Sequence, residues 1–243
     1  LSLPPEVEAE LTELATDVES GAAELHERCL EAARGLDDGD LREFAARLRT
    51  ARRDMAPLLS LAHGLETAAA PIAFLSERRK QTAAASEDIC RRAVERLGGV
   101  GRFITISRSS TVLSVLAALE PAAALCLYSE PGGEGLRSAL ELCRRGLDAR
   151  VVADDEAASA VEGVEAGICG ADALTDHLFV NKVGTRELAR LLARAGKPLY
   201  LACDRTKYLD DDLFAELEPN ELFEETPLHL VAGVLTDGDV NWW

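Results

Sequence analysis

The chain has 243 residues, 43 acidic against 26 basic side chains, a net charge of −17 at pH 7, and a hydrophobic content of 47%. That length holds one large or two small domains, and that apolar content is enough for a buried core, which disordered chains lack. The acidity excludes a protein whose affinity comes from neutralising phosphates along a nucleic acid or an anionic membrane surface.

From residue 5 to about 97 the sequence reads as helices throughout. Leu11, Leu14, Ala15 and Val18 keep the i, i+3, i+4, i+7 spacing of one apolar helix face, and Leu41, Phe44, Ala45 and Leu48 repeat it. Gly35 and the run Asp37-Asp38-Gly39-Asp40 punctuate them, and a longer helix is predicted from about Ile72 to Leu97, stopped by Gly98-Gly99. After Gly101 the period changes. Phe103–Ile106, Ala123–Leu127, Arg150–Ala153, Ala166–Cys169, Leu178–Val180 and Leu199–Ala202 are apolar runs of strand length. Helical stretches at Val112–Leu119, Gly135–Arg145, Glu156–Val161 and Thr185–Ala195 separate most of them. In the last of these, Leu188, Leu191, Leu192 and Ala195 form one stripe, and Gly196 and Pro198 supply the stop. Such alternation predicts βαβ units and a buried parallel sheet with helices on both faces. The expected class is α/β: a helical domain over 1–97, then a Rossmann-like, mostly parallel sheet domain over 98–243.

Ligands of open α/β sheets sit beyond the carboxyl ends of the strands. Three segments fall there. In Ser107-Arg108-Ser109-Ser110-Thr111 the hydroxyls and N–H groups open a helix, as an anion site or as ordinary capping. In Gly170-Ala171-Asp172-Ala173 the carboxyl serves either as an acid or base, if burial moves its pKa, or as a turn residue. In Asn181-Lys182-Val183-Gly184-Thr185 an amide and an ammonium lead into a helix start. Only four basic residues are lysines, Lys80, Lys182, Lys197 and Lys207. That scarcity weighs for a task at Lys182 and at Lys207, which follows the next strand, against a solvated surface charge.

The six cysteines show no CxxC pair or zinc spacing, so reduced, buried thiols are expected. The histidines have no HxxxH or HExxH spacing, and no metal or cofactor is implied. No stretch reaches the ~20 apolar residues of a membrane span, and the first residues lack the order of a signal peptide, so a cytoplasmic location is expected.

The motifs Gly170-Ala-Asp-Ala-Leu, Val180-Asn-Lys-Val-Gly-Thr185, Pro198-Leu-Tyr-Leu-Ala-Cys-Asp-Arg-Thr-Lys-Tyr208 and Phe223-Glu-Glu-Thr-Pro227 occur in that order. Together they resemble the superfamily of the alpha, beta and delta subunits of translation initiation factor 2B, ribose-1,5-bisphosphate isomerase and methylthioribose-1-phosphate isomerase. For the isomerases the resemblance implies a proton moved between C1 and C2 of an open-chain sugar phosphate by a cysteine and an aspartate. The aspartate matches Asp172; the residues holding phosphate and hydroxyls match Asn181, Lys182 and Lys207. Ser107 stands at the cysteine's place and Ser109 follows in the same loop. An unactivated hydroxyl ionises far less readily than a thiol. The family's phosphate-gripping arginines are also missing: Ser20-Gly21, Met55-Ala-Pro57 and Glu130 stand where they are expected.

The resemblance therefore points to a divergent regulatory or ligand-binding member, a homodimer through its C-terminal domain with an altered sugar-phosphate site. Phe223 and the Leu228–Leu235 region are candidate interface residues, and Trp242 and Trp243 either join them or end the chain. The rival readings are an active aldose–ketose isomerase using Asp172 with Ser107, and an interaction module without a ligand.

Overall fold

The computed structural model describes residues 3–17 and 20–238. It forms two compact units, residues 1–83 with 206–220, and residues 84–205 with 221–243.

The first unit is helical. Its elements are α1 (Pro5–Thr16), α2 (Ala22–Ala32), α3 (Asp38–Ala51), α4 (Ala56–Thr67), the first half of α5 (Pro71–Leu97) and the later α10 (Asp211–Phe214). The punctuating acidic run has a mechanical role: the Asp37 carboxylate accepts from the Gly39 and Asp40 N–H groups and caps α3. All four residues of the stripe at 41, 44, 45 and 48 are buried, in a core that also takes Leu14, Leu25, Leu61 and Leu65. The first stripe fares differently. Leu11 and Leu14 are buried but Ala15 is exposed, off the face that Val7, Leu11 and Leu14 bury; Val18 lies outside the described residues.

The second unit holds a six-stranded sheet in the order β3-β2-β1-β4-β7-β9, all pairs parallel, from β1 (Arg102–Thr105), β2 (Ala123–Leu127), β3 (Ala149–Val152), β4 (Ala166–Cys169), β7 (Leu199–Ala202) and β9 (Gly233–Leu235). Alternate residues enter two apolar layers. Phe103, Ala166 and Ile168 join one with the end of α5, α6 (Ser110–Leu119) and α7 (Glu134–Arg144); Ile104 and Cys169 join the other with α8 (Ala157–Glu162) and α9 (Thr185–Arg194).

The strand at Leu178–Val180 does not belong to this sheet. It extends to Lys182 as β6 (Leu178–Lys182) and pairs antiparallel with β5 (Ala173–Leu174) and β8 (Phe223–Pro227) in a separate three-stranded sheet. Asn181 and Lys182 thus stand on a strand, not in a loop after one. The Leu228–Leu235 stretch also turns inward: Val234 and Leu235 are fully buried on β9, while Leu228, Leu230 and Val231 pack against the α8 and α9 layer. All six cysteines are free, but Cys143 on α7 is exposed and Cys90 only half-buried, so burial holds for the other four. Among the described residues, no helix is long and apolar enough to cross a membrane.

Candidate functional site

The sheet order reverses between β1 and β4. The chain runs outward through β2 and β3 on one side and through β7 and β9 on the other. Such a switch point opens a crevice beyond the strands' carboxyl ends. Ser107-Arg108-Ser109 leaves β1 there, and Gly170-Ala171-Asp172 leaves β4.

Close approaches join these loops. A Cβ on Gly170 would lie 2.7 Å from both Cβ and Oγ of Ser109, so only glycine lets the β4 loop touch the β1 loop. Gly184, at φ +96°, sits where a Cβ would come 3.1 Å from Ile106 Cδ1, which brings the start of α9 to the same end. Ser107 and Ser129, at the ends of β1 and β2, are non-glycine residues with φ of 64° and 69°. Hydrogen bonds hold both: the Ser107 N–H donates to Ser129 Oγ at 2.7 Å, and Ser138 Oγ donates to the Ser107 carbonyl at 2.9 Å. Strain of this kind persists only where the surroundings over-determine it, and it gathers at functional sites.

Around the sheet's carboxyl end, internal carboxylates take up many of the donors. Lys182, 2% exposed, is paired with Glu134 at 2.7 Å from Nζ to Oε1. Glu134 opens α7, where the helix dipole favours an anion. The N-terminus of α9 is filled too: the Gly184 and Arg186 N–H groups both donate to Glu224 Oε1 at 2.9 Å. At the end of β2, the Ser129 and Glu130 N–H groups donate to the two Asp154 oxygens at 2.8 Å. Beside β7, Arg205 donates through N–H and Nε to the buried Asp237 at 2.7 and 2.8 Å. At Asn181–Thr185 the ammonium and the helix start thus each have a carboxylate from elsewhere in the chain.

The sequence-selected residues take definite positions. Ser107 is half-buried, and its hydroxyl has no hydrogen-bond partner among the described residues. Ser109 caps α6, its Oγ accepting from the Val112 N–H at 3.4 Å. Arg108 between them is exposed and makes no ion pair among the described residues. Asp172 is half-buried, its N–H donating to the Val180 carbonyl at 2.7 Å. Asn181 is buried and donates through Nδ2 to Thr185 Oγ1 at 3.0 Å, while Thr185 Oγ1 donates to the Lys182 carbonyl at 2.6 Å. Lys207 is buried, ends the 3-10 turn after β7, and counts with the first unit.

One thiol, Cys169, lies next to the Gly170–Asp172 segment. It is fully buried, and desolvation pushes its pKa well above the ordinary thiol range, which disfavours the thiolate. Among the described residues no group of three His, Cys, Asp or Glu side chains is placed to hold a metal ion.

The carboxylates Glu134, Asp154 and Glu224 are the residues that sequence reading passes over. Two local signals exist: Glu134 follows Gly132-Gly133 at a helix start, and Glu224 lies inside the Phe223–Pro227 box.

The comparisons agree with this architecture. The sequence profile described as the initiation factor 2 subunit family matches residues 44–240. No curated protein matches the sequence. Among solved structures, translation initiation factor eIF-2B from Pyrococcus horikoshii OT3 is similar at 25% identity, with a TM-score of 0.79 over 96% of this chain and 95% of that one. The tetrameric eIF2B-beta2-delta2 complex of Chaetomium thermophilum contains a chain with a TM-score of 0.73 at 16% identity, covering 97% and 90%. The 5-methylthioribose 1-phosphate isomerase of Pyrococcus horikoshii OT3 gives 0.61 at 19%, covering 97% and 84%. The last two likenesses concern the fold alone. A profile match over most of the chain, on an α/β fold, decides the family: this chain belongs to the initiation factor 2 subunit family.

Proposed function

We propose that the protein is a divergent member of this family, built like a regulatory subunit of initiation factor 2B, with an altered small-ligand site at the β1/β4 switch point. Asp172 and Ser107 are the residues assigned to any chemistry there, and Asn181, Lys182 and Ser109 those assigned to the ligand. What supports the reading is the filling of the donors around Lys182, α9 and β2 by Glu134, Glu224 and Asp154. A phosphate arriving at such a site meets donors already taken by carboxylates, and of the places where the isomerases, by the resemblance, hold arginines, one is the acidic Glu130. The missing thiol adds to it, since loss of a group central to proton transfer costs about 10²- to 10⁴-fold. The test is conversion of ribose 1,5-bisphosphate to ribulose 1,5-bisphosphate by the purified protein, with no turnover expected. Turnover near ~1 s⁻¹ that vanishes in Asp172→Asn would overturn the reading.

The competing reading, an active aldose–ketose isomerase, draws on one observation: Asp172 and the unpartnered Ser107 hydroxyl leave neighbouring strands at the switch point. Ser107→Cys discriminates. A variant that gains turnover from an inactive parent shows a site altered at that atom; a parent already active favours the isomerase.

Self-association through the second unit is part of the proposal. Leu136 and Leu140, one turn apart on α7, and Val151 on the edge strand β3 are exposed apolar residues of that unit. Sedimentation is expected to give a dimer at micromolar concentration, and a monomer there would exclude an obligate one.

A further inference from the structure

We propose that Glu134 sets the specificity of the Lys182 subsite by closing it to phosphate and carboxylate groups, leaving it for an uncharged, hydroxyl-bearing part of a ligand. The inference rests on the reading of the switch-point crevice as a ligand site.

Lys182 is the fully buried member of the pair and Glu134, 23% exposed, the member that reaches solvent. A buried ammonium is tolerated only with an anion beside it. Glu134 is that anion, tethered one helix start away and therefore present at an effective concentration no free phosphate matches. The loop is shaped to seat it. Gly133, in the left-handed region at φ +64°, turns the chain into α7. A Cβ on Gly132 would come 2.4 Å from Glu134 Oε1, so the carboxylate occupies the space that glycine leaves. The other oxygen, Oε2, is buried and has no hydrogen-bond partner among the described residues. A carboxylate oxygen only accepts, so the group that completes this seat is an O–H or N–H donor; a second anion there would be repelled.

The test is chemical rescue by inorganic phosphate, read as thermal stability of the full chain with sodium chloride at matched ionic strength as the control. Glu134→Ala leaves Lys182 without its anion and should lower Tm by on the order of 10 °C. Phosphate at about 10 mM should then raise the variant's Tm by on the order of 5 °C while the wild type moves by less than about 1 °C. The gain should vanish when Lys182→Met is added. Glu134→Gln, which keeps shape and removes charge, replaces the alanine variant if that one does not fold. Gly132→Ala, which pushes the carboxylate aside without deleting it, should gain a smaller response. A wild type that responds as strongly as the variants overturns the proposal. So does a folded Glu134→Ala or Glu134→Gln protein that gains nothing, and so does a gain that survives Lys182→Met. These outcomes are independent of the isomerase assay: turnover of ribose 1,5-bisphosphate by the wild type would sink the altered-site reading, whereas a missing phosphate response in the variants sinks only the role of Glu134.

Discussion

The two units place their charges differently. In the helical unit, arginines carry the long-range pairing from part-exposed positions: Arg28 meets Glu10 and Asp17, and Arg49 joins Glu66 to Glu216. In the α/β unit, carboxylates do so, seated on backbone N–H groups and on one buried lysine at the carboxyl end of the sheet. The first pattern holds helices whose apolar faces already pack. The second leaves backbone N–H groups and a buried ammonium occupied by the chain's own anions.

The largest effect that would break this comparison comes from paired cycles. Glu134→Leu alone should cost about 3–5 kcal/mol, because it strands a buried charge, whereas Glu134→Leu with Lys182→Met should be near neutral. The same cycle at Arg49 and Glu216, whose side chains are 24% and 34% exposed, should give a coupling of at most about 1 kcal/mol. Urea unfolding measures both. Equal couplings would mean that the two units use their charges alike.

A smaller effect separates the units by backbone approach. A Cβ on Gly135 would stand 1.8 Å from the Leu127 carbonyl oxygen, an atom of the sheet that cannot move aside, so Gly135→Ala should cost about 1–3 kcal/mol by prising α7 from β2. Gly21, the N-cap of α2, has open space around it and φ of −76°. Gly21→Ala should stay within about 0.5 kcal/mol of the wild type, since a poorer cap and a less flexible unfolded chain offset each other. A comparable loss at both glycines, read from denaturant midpoints, would refute the steric account.

Much of the fold is legible in the residues because it depends on local period. The stripe at 41, 44, 45 and 48 and that at 188, 191, 192 and 195 each mark their own helix, and Phe103–Ile106 marks the first strand. The antiparallel sheet is not legible. Its strands are two to five residues long, and Phe223-Glu-Glu-Thr-Pro227 carries a proline and two charges; only pairing with β6, some forty residues away, makes it a strand. The candidate site divides along the same line. Ser107, Asp172, Asn181 and Lys182 announce themselves by standing at the ends of apolar runs. The carboxylates around them do not, because the Lys182–Glu134 pair spans 48 positions, Ser129–Asp154 25 and Gly184–Glu224 40.

The smallest expected effect bears on whether a thiol could take the part that Ser107 does not. Burial pushes the Cys29 and Cys126 thiols up to about 12, one in each unit, and Cys169 higher still, while part-burial raises Cys90 less. At pH 8 a thiol titrating near 12 is ionised in only about one molecule in 10⁴, and the thiolate is the nucleophile. Iodoacetamide on the folded protein should therefore modify the exposed Cys143 first and Cys90 more slowly, leaving Cys29, Cys126 and Cys169 until the chain unfolds. The same shifts give a pH dependence of definite sign. A thiol whose pKa is raised on folding contributes its stabilisation in full below the unfolded value of about 8.5 and loses it as pH rises towards about 12. The urea midpoint should fall over that window, and Cys126→Ala should make the fall shallower. Mass spectrometry of the labelled peptides decides the functional point: alkylation of Cys169 in the folded protein at a rate near that of Cys143 would show a reactive thiol at the end of β4, one residue before Gly170, and would return a cysteine and Asp172 to the same loop as partners for proton transfer.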